Sequence, residues 1–195
     1  ILILSRNFHN SDRNKKFKWT RQYGNLIQNK KIGILGYGNI GKNFERLILS
    51  FNPKKIYIYD NYIQITKKSK ISRSIQVKTL KEFFSKCDII SIHIPLNEQT
   101  NNLINKNLLK YSKKSLILIN TSRAEVLNEK DIIEHMKKNL NFKLGLDVFW
   151  KEPNIGQIKN SINVSLSSHI GSYTIESRLA MEEESIKILK NLIKK

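Results

Sequence analysis

The stretch KIGILGYGNIGKNFERLILSF, Lys31 to Phe51, is an apolar run, three glycines in quick succession, then a pattern of wider period. The run that ends at Leu35 is nearly continuous in apolar residues, which suits a strand buried on both faces. Beyond the glycines, Ile40, Phe44, Leu47, Ile48 and Phe51 recur at the spacing of one helix face, which predicts a helix packed by that face onto a sheet. Gly36, Gly38 and Gly41 form G-x-G-x-x-G directly after the strand and directly before the helix. There the first glycine permits a tight turn. The second lets backbone amides approach a pyrophosphate, the third allows close packing of a helix whose N-terminus faces that anion, and Tyr37, Asn39 and Ile40 are expected to bind the cofactor with the glycines.

The next strand, KIYIYD, ends in Asp60, nineteen residues beyond Gly41, where a carboxylate can accept hydrogen bonds from an adenosine ribose. An acidic group there repels the 2′-phosphate of NADP, and no Arg follows in DNYI, so NAD is the expected cofactor. A glycine turn without a ligand, with Asp60 as a strand terminator, is the competing reading of the same residues.

From Lys30 onward, short β-branched runs alternate with helical patterns. Strands are expected at KKIGIL, KIYIYD, SIQV, DIISIHI, SLILIN, LGLDVF and NVSLSS. That rhythm predicts an α/β fold, a doubly wound parallel sheet of the Rossmann type. Asn128 to Asn139 reads as a helix capped by Asn128, with Ile132, Ile133 and Met136 inward, and Thr174 to Lys195 as a long amphipathic one. Within the first 29 residues, the stretch SRNFHNSDRNKKFKWTRQYGN is polar and basic without a clear period, with isolated Phe17, Trp19 and Tyr23. Residues 1–29 are expected to form a connecting helix or arm outside the core, and residues 30–195 the dinucleotide-binding domain.

The chain has 195 residues, 39% of them hydrophobic, enough for one sizeable core. The apolar runs are too short to cross a bilayer, and Ile1 to Leu4 lacks the length of a signal-peptide core. A single cysteine, Cys87, forms no internal disulfide and has no second thiol at metal-ligand spacing, so no metal is expected and the cytoplasm is the expected compartment. The net charge of +19 invites a nucleic-acid reading. The lysines, however, are spread through the whole chain rather than gathered on a stripe with aromatic residues, and they read as solvated surface.

Ligands of open α/β sheets bind beyond the carboxyl ends of the strands. The polar residues there are Asp60, His93, Thr121 with Ser122 and Arg123, Asp147 with Glu152, and Ser168 with His169. GILGYGNIGKNFERL, CDIISIHIPLNEQTNNLINKNLL, LILINTSRAEVLNEKDI, GLDVFWKEP and SSHIGSYT, in this order, resemble the D-isomer-specific 2-hydroxyacid dehydrogenases. YDNYI is similar to the phosphoglycerate dehydrogenases of that family. The resemblance implies an NAD-dependent oxidoreductase acting on a 2-hydroxy or 2-keto acid, with 3-phosphoglycerate the first candidate and glyoxylate or hydroxypyruvate next. It implies that Arg123 grips the substrate carboxylate and polarises the carbonyl, that His169 is the general acid or base, and that Glu152 pairs with His169 and orients it. Asp147 aligns with a residue that contacts the nicotinamide carboxamide, while Thr121 and Pro95 fall in cofactor-lining segments. His93 carries no acid-base role in the family and is expected to be a pocket-wall residue, and Cys87 a small buried hydrophobe.

Ala124, Trp150 and Ser168 depart from the family's usual residues without removing a catalytic group. Family members also carry a substrate-binding domain ahead of the nucleotide domain, whereas this chain begins with Ile inside the connection. The expectation is a domain-level fragment that binds NAD and, lacking an opposing wall to exclude water, turns over slowly. Arg6 to Asn25 corresponds to the region that family members wrap around a second subunit, which implies a homodimer with Trp19 at the contact. The alternative is a non-catalytic, NAD-sensing interaction protein on the same fold, like the C-terminal-binding corepressors.

Overall fold

The structure is a computed structural model, and it describes residues 1–8, 23–64, 73–160 and 163–193. Seven strands form one sheet: β1 (Lys31–Leu35), β2 (Lys55–Tyr59), β3 (Ser74–Gln76), β4 (Ile89–Ile92), β5 (Ile117–Asn120), β6 (Lys143–Leu146) and β7 (Val164–Leu166). Their order is β3-β2-β1-β4-β5-β6-β7, and every pairing is parallel. Six of them fall within the runs expected from sequence, and β6 overlaps its run but begins one residue earlier, at Lys143. β4 is buried at every position, as a central strand covered on both faces must be.

Helices cover both faces: α1 (Leu2–Ser5), α2 (Asn39–Leu49), α3 (Leu80–Lys86), α4 (Lys106–Leu109), α5 (Glu129–Lys138) and α6 (Ile175–Ile193). One core layer gathers Phe83, Phe84, Leu109, Ile132 and Phe142, and the other gathers Leu4, Ile27, Ile34 and Ile48. Asn128 caps α5 as expected, accepting a hydrogen bond from the Asp131 amide at 3.1 Å, and Ile132 and Met136 point inward. Cys87 is fully buried against the bare backbone of Gly33, and burial pushes its thiol pKa up, which keeps it an inert hydrophobe.

Three expectations need correction. Of the apolar face expected for α2 only Ile48 is buried, with Phe44 packed partly against the same core, while Ile40, Leu47 and the following Phe51 are exposed. The apolar arc of this helix is wider than the sheet beneath can cover. The N-terminal region also contributes to the core, because Leu4 and Ile27 are buried. Leu4 seats in the space left by Gly145, where an added Cβ would lie 3.2 Å from the Leu4 methyl. Finally, α6 has the expected extent but buries none of its residues. Trp19 lies outside the described residues.

Candidate active site

The strand order reverses between β1 and β4, so the turns leaving these two strands diverge and open a cleft at the carboxyl edge. The glycine turn lies at this point. Gly36 has φ +92°, a left-handed conformation that favours glycine, and its amide donates to the Tyr59 carbonyl at 2.9 Å. A Cβ on Gly41 would fall on the Gly36 carbonyl oxygen, so helix and turn touch through bare backbone. A Cβ on Gly38 would meet nothing within 4 Å. Gly38 is also the N-cap of α2 and has no side-chain cap, and Asn39 and Ile40 behind it are exposed. The helix therefore presents uncapped amides and the positive end of its dipole to open space, as an incoming pyrophosphate requires.

Asp60 closes the turn from the β2 side. Its Oδ2 accepts the Tyr37 amide at 2.7 Å, and its Oδ1 accepts the amides of Tyr62 and Ile63, both at 2.8 Å. Burial alone would raise its pKa, but these amides and the Lys42 charge outweigh that and leave it lowered, so the carboxylate is ionised. A carboxylate has roughly four acceptor positions, so capacity remains for a ribose hydroxyl. Asp60, Gly36, Gly38, His93 and Pro95 line one cavity of about 240 Å³, with apolar walls from Leu35, Ile94 and Leu103. Burial pushes the His93 imidazole down to about 4, so this wall is neutral at physiological pH, as expected of a pocket-wall residue. An apolar slot for a base, a carboxylate for a ribose and an open glycine turn for phosphates together fit NAD.

A second group occupies the ends of β5, β6 and β7. His169 sits at φ +55° in the turn after β7, a conformation that costs a non-glycine residue on the order of 1 kcal/mol. Asp147 holds that turn. It is 5% exposed, and its carboxylate accepts the Ser167 hydroxyl at 2.6 Å, the Ile170 amide at 3.0 Å and the Gly171 amide at 2.9 Å. Burial would raise the Asp147 pKa, but these three donors reverse the sign and keep it ionised. The Nδ1 of His169 faces Glu152, 2.8 Å from Oε2 and 3.1 Å from Oε1. Glu152 is held in turn by the Phe149 amide at 3.1 Å. The His169 contact, then that amide, lower the Glu152 pKa. With Nδ1 engaged, Nε2 of His169 is left for proton exchange.

Arg123 is exposed at the end of β5, with Nη1 donating to the Ser122 carbonyl at 2.7 Å. Thr121 is exposed beside it. The structure thus brings the glycine turn, Asp60 and Pro95 together in the cleft, and Asp147, Glu152 and His169 in a second cluster. Arg123 folds back on its own turn.

Sequence reasoning missed two residues that shape these turns. Asn120 is fully buried, and its Nδ2 donates to the Arg123 carbonyl at 2.8 Å. Its Oδ1 accepts the Ser122 amide at 3.0 Å and the Ser122 hydroxyl at 2.9 Å, so Asn120 folds the segment that presents Arg123. Ser167 does similar work for the His169 turn through Asp147. A polar residue ending an apolar strand such as LILIN was the available signal for Asn120.

Residues 1–171 match the family model described as D-isomer specific 2-hydroxyacid dehydrogenase, NAD binding domain. A hydroxypyruvate reductase of Thermotoga maritima is 31% identical over 185 residues, covering 91% of this chain and 58% of that protein. A glyoxylate reductase of Pyrococcus furiosus is 35% identical over 169 residues, covering 85% of this chain and 48% of that protein. Among solved structures, D-lactate dehydrogenase from Aquifex aeolicus, complexed with NAD and lactic acid, superposes with a TM-score of 0.85 at 25% identity, covering 99% of this chain and 63% of that one. The chain spans about half the length of the curated relatives it matches. With the family model matched over most of its length and the glycine turn, Asp60 and the His169–Glu152 pair in place, the chain belongs to the D-isomer specific 2-hydroxyacid dehydrogenase family, as its NAD binding domain.

Proposed function

We propose that the protein carrying this chain is an oxidoreductase that transfers a hydride between NAD and a D-2-hydroxy acid or the matching 2-keto acid. The His169–Glu152 pair at the carboxyl edge of the sheet carries this reading. NAD, when bound, supplies or accepts the hydride at its nicotinamide ring. Reduction of a keto group builds negative charge on its oxygen, which calls for a fixed cation and a proton donor. Arg123 provides the cation, and its planar fork of donors suits a carboxylate next to a carbonyl. His169 gives a proton from Nε2 during reduction and takes one during oxidation, while Glu152 at Nδ1 keeps the ring aimed. We place Asp147 as a brace that also borders the nicotinamide end, since the turn it holds carries His169.

Among substrates, glyoxylate and hydroxypyruvate are supported by the names of the relatives, ahead of 3-phosphoglycerate. Those names also disfavour a purely non-catalytic NAD sensor. The test is NADH oxidation, followed by absorbance, with glyoxylate, hydroxypyruvate and phosphohydroxypyruvate. The expected result is oxidation that depends on the keto acid, and no oxidation with any 2-keto acid overturns the proposal.

A homodimer is the proposed assembly. Leu47 and Phe51 give one side of the α2 end an exposed apolar surface that a second copy would cover. Sedimentation should show a dimer at micromolar concentration, and a monomer under those conditions contradicts it.

A further inference from the structure

Glu45 lies on α2 and is half-buried. Its carboxylate accepts two hydroxyl groups, the Tyr37 phenol at Oε2 and the Ser74 hydroxyl at Oε1. Tyr37 is the residue between the first two glycines of the turn, and its own amide donates to Asp60 at 2.7 Å. Ser74 opens β3 and pairs with Ile56 of β2, the strand that leads to Asp60. One carboxylate therefore joins the glycine turn, the helix that follows it and the edge strand next to Asp60. Hydrogen bonds to an ionised acceptor are roughly twice as strong as neutral ones. Burial, then the Glu45 hydrogen bond and charge, push the Tyr37 phenol up to about 12, so it remains a donor across the physiological range.

We propose that Glu45 is a positioning residue for dinucleotide binding, which clamps Tyr37 by its side chain and thereby fixes both the phosphate-binding turn and the Asp60 carboxylate. The proposal rests on the NAD reading of the cleft. Glu45 acts through Tyr37. Gly38 and its neighbours form an exposed turn, and any disorder there must be removed when the pyrophosphate binds. With the clamp in place, that ordering is done beforehand.

A staple with no role in binding would lower thermal stability and leave NAD affinity unchanged while the protein is folded. Calorimetric titration with NAD separates the two. The parent chain, Glu45→Ala, Tyr37→Phe and the double variant are compared at a temperature where circular dichroism shows all four folded. Glu45→Ala and Tyr37→Phe should each weaken NAD by about tenfold, the effect of losing one charge-assisted hydrogen bond. The double variant should be no weaker than the weaker single variant, because both changes cut the same link. Glu45→Gln, which keeps an acceptor oxygen, should recover part of the affinity. The Tyr37 phenol should also titrate at lower pH in Glu45→Ala, by ultraviolet absorbance.

Unchanged NAD affinity in folded Glu45→Ala, or losses that multiply in the double variant, overturns the proposal. Tyr37→Phe preserves shape and keeps the test open if Glu45→Ala does not fold. A parent that binds NAD beside an unaffected Glu45→Ala contradicts this proposal alone. A parent that binds no NAD contradicts the cofactor reading and takes this proposal with it.

Discussion

Replacing His169 with Gln lowers keto-acid turnover by about a thousandfold and leaves NAD affinity near that of the parent, because positioned general acids contribute of that order. A Gln amide can still hydrogen-bond to Glu152, but it cannot carry a proton to a developing alkoxide. The bracing of the turn is untouched, since Asp147 grips it through Ser167, Ile170 and Gly171 rather than through residue 169. Glu152→Gln should cost less, because the amide keeps the ring oriented and removes only the charge beside it. The measurement is the steady-state rate with saturating NADH and hydroxypyruvate, with NAD affinity determined separately. His169→Gln turning over like the parent would remove this histidine from the chemistry.

Gly41→Ala weakens NAD by about a hundredfold, the equivalent of about 2.7 kcal/mol, and lowers the melting temperature as well. The added methyl would fall on the Gly36 carbonyl oxygen and lie 3.2 Å from its carbon and 3.3 Å from the Ile34 side chain. Backbone cannot yield as a side-chain tip can. The helix must therefore back away from the turn, and the Tyr37 amide leaves Asp60. Gly38→Ala is the informative contrast. Its methyl meets no protein atom within 4 Å, so the melting temperature should hold while NAD affinity falls, the methyl occupying space meant for the pyrophosphate. Differential scanning calorimetry and NAD titration on the two variants read both quantities. Normal NAD binding by Gly38→Ala contradicts the assignment of that open space to phosphate.

The seven strands were legible because near-continuous Ile and Leu runs, broken by polar or helical segments, match the needs of a sheet covered on both faces. The glycine spacing and the distance to Asp60 were legible for a similar reason, since each is a local requirement of one turn and one ribose. Periodicity was less informative where packing depends on what lies opposite. It marked α2 as amphipathic without showing that the sheet covers Ile48 and leaves Leu47 outside. Nor could it show that Leu4, distant in sequence, fills the space above Gly145. The turn-folding roles of Asn120 and Asp147 also escaped, because a side chain's choice of partner within a loop leaves no repeat in the chain. Asp147 was legible as a strand-end acid, but its hold on the His169 turn emerges only with the fold.

Every role assigned to the site requires that the cleft between β1 and β4 hold a dinucleotide through the Gly36–Gly41 turn and Asp60. Titrating NAD, NADH and NADPH into residues 1–195, and into the Asp60→Ala variant, tests this most directly. The predicted result is one site per chain, preference for the cofactors without a 2′-phosphate, and marked weakening in Asp60→Ala. Absence of any binding heat with folded protein, or an Asp60→Ala variant that binds as the parent does, would contradict it.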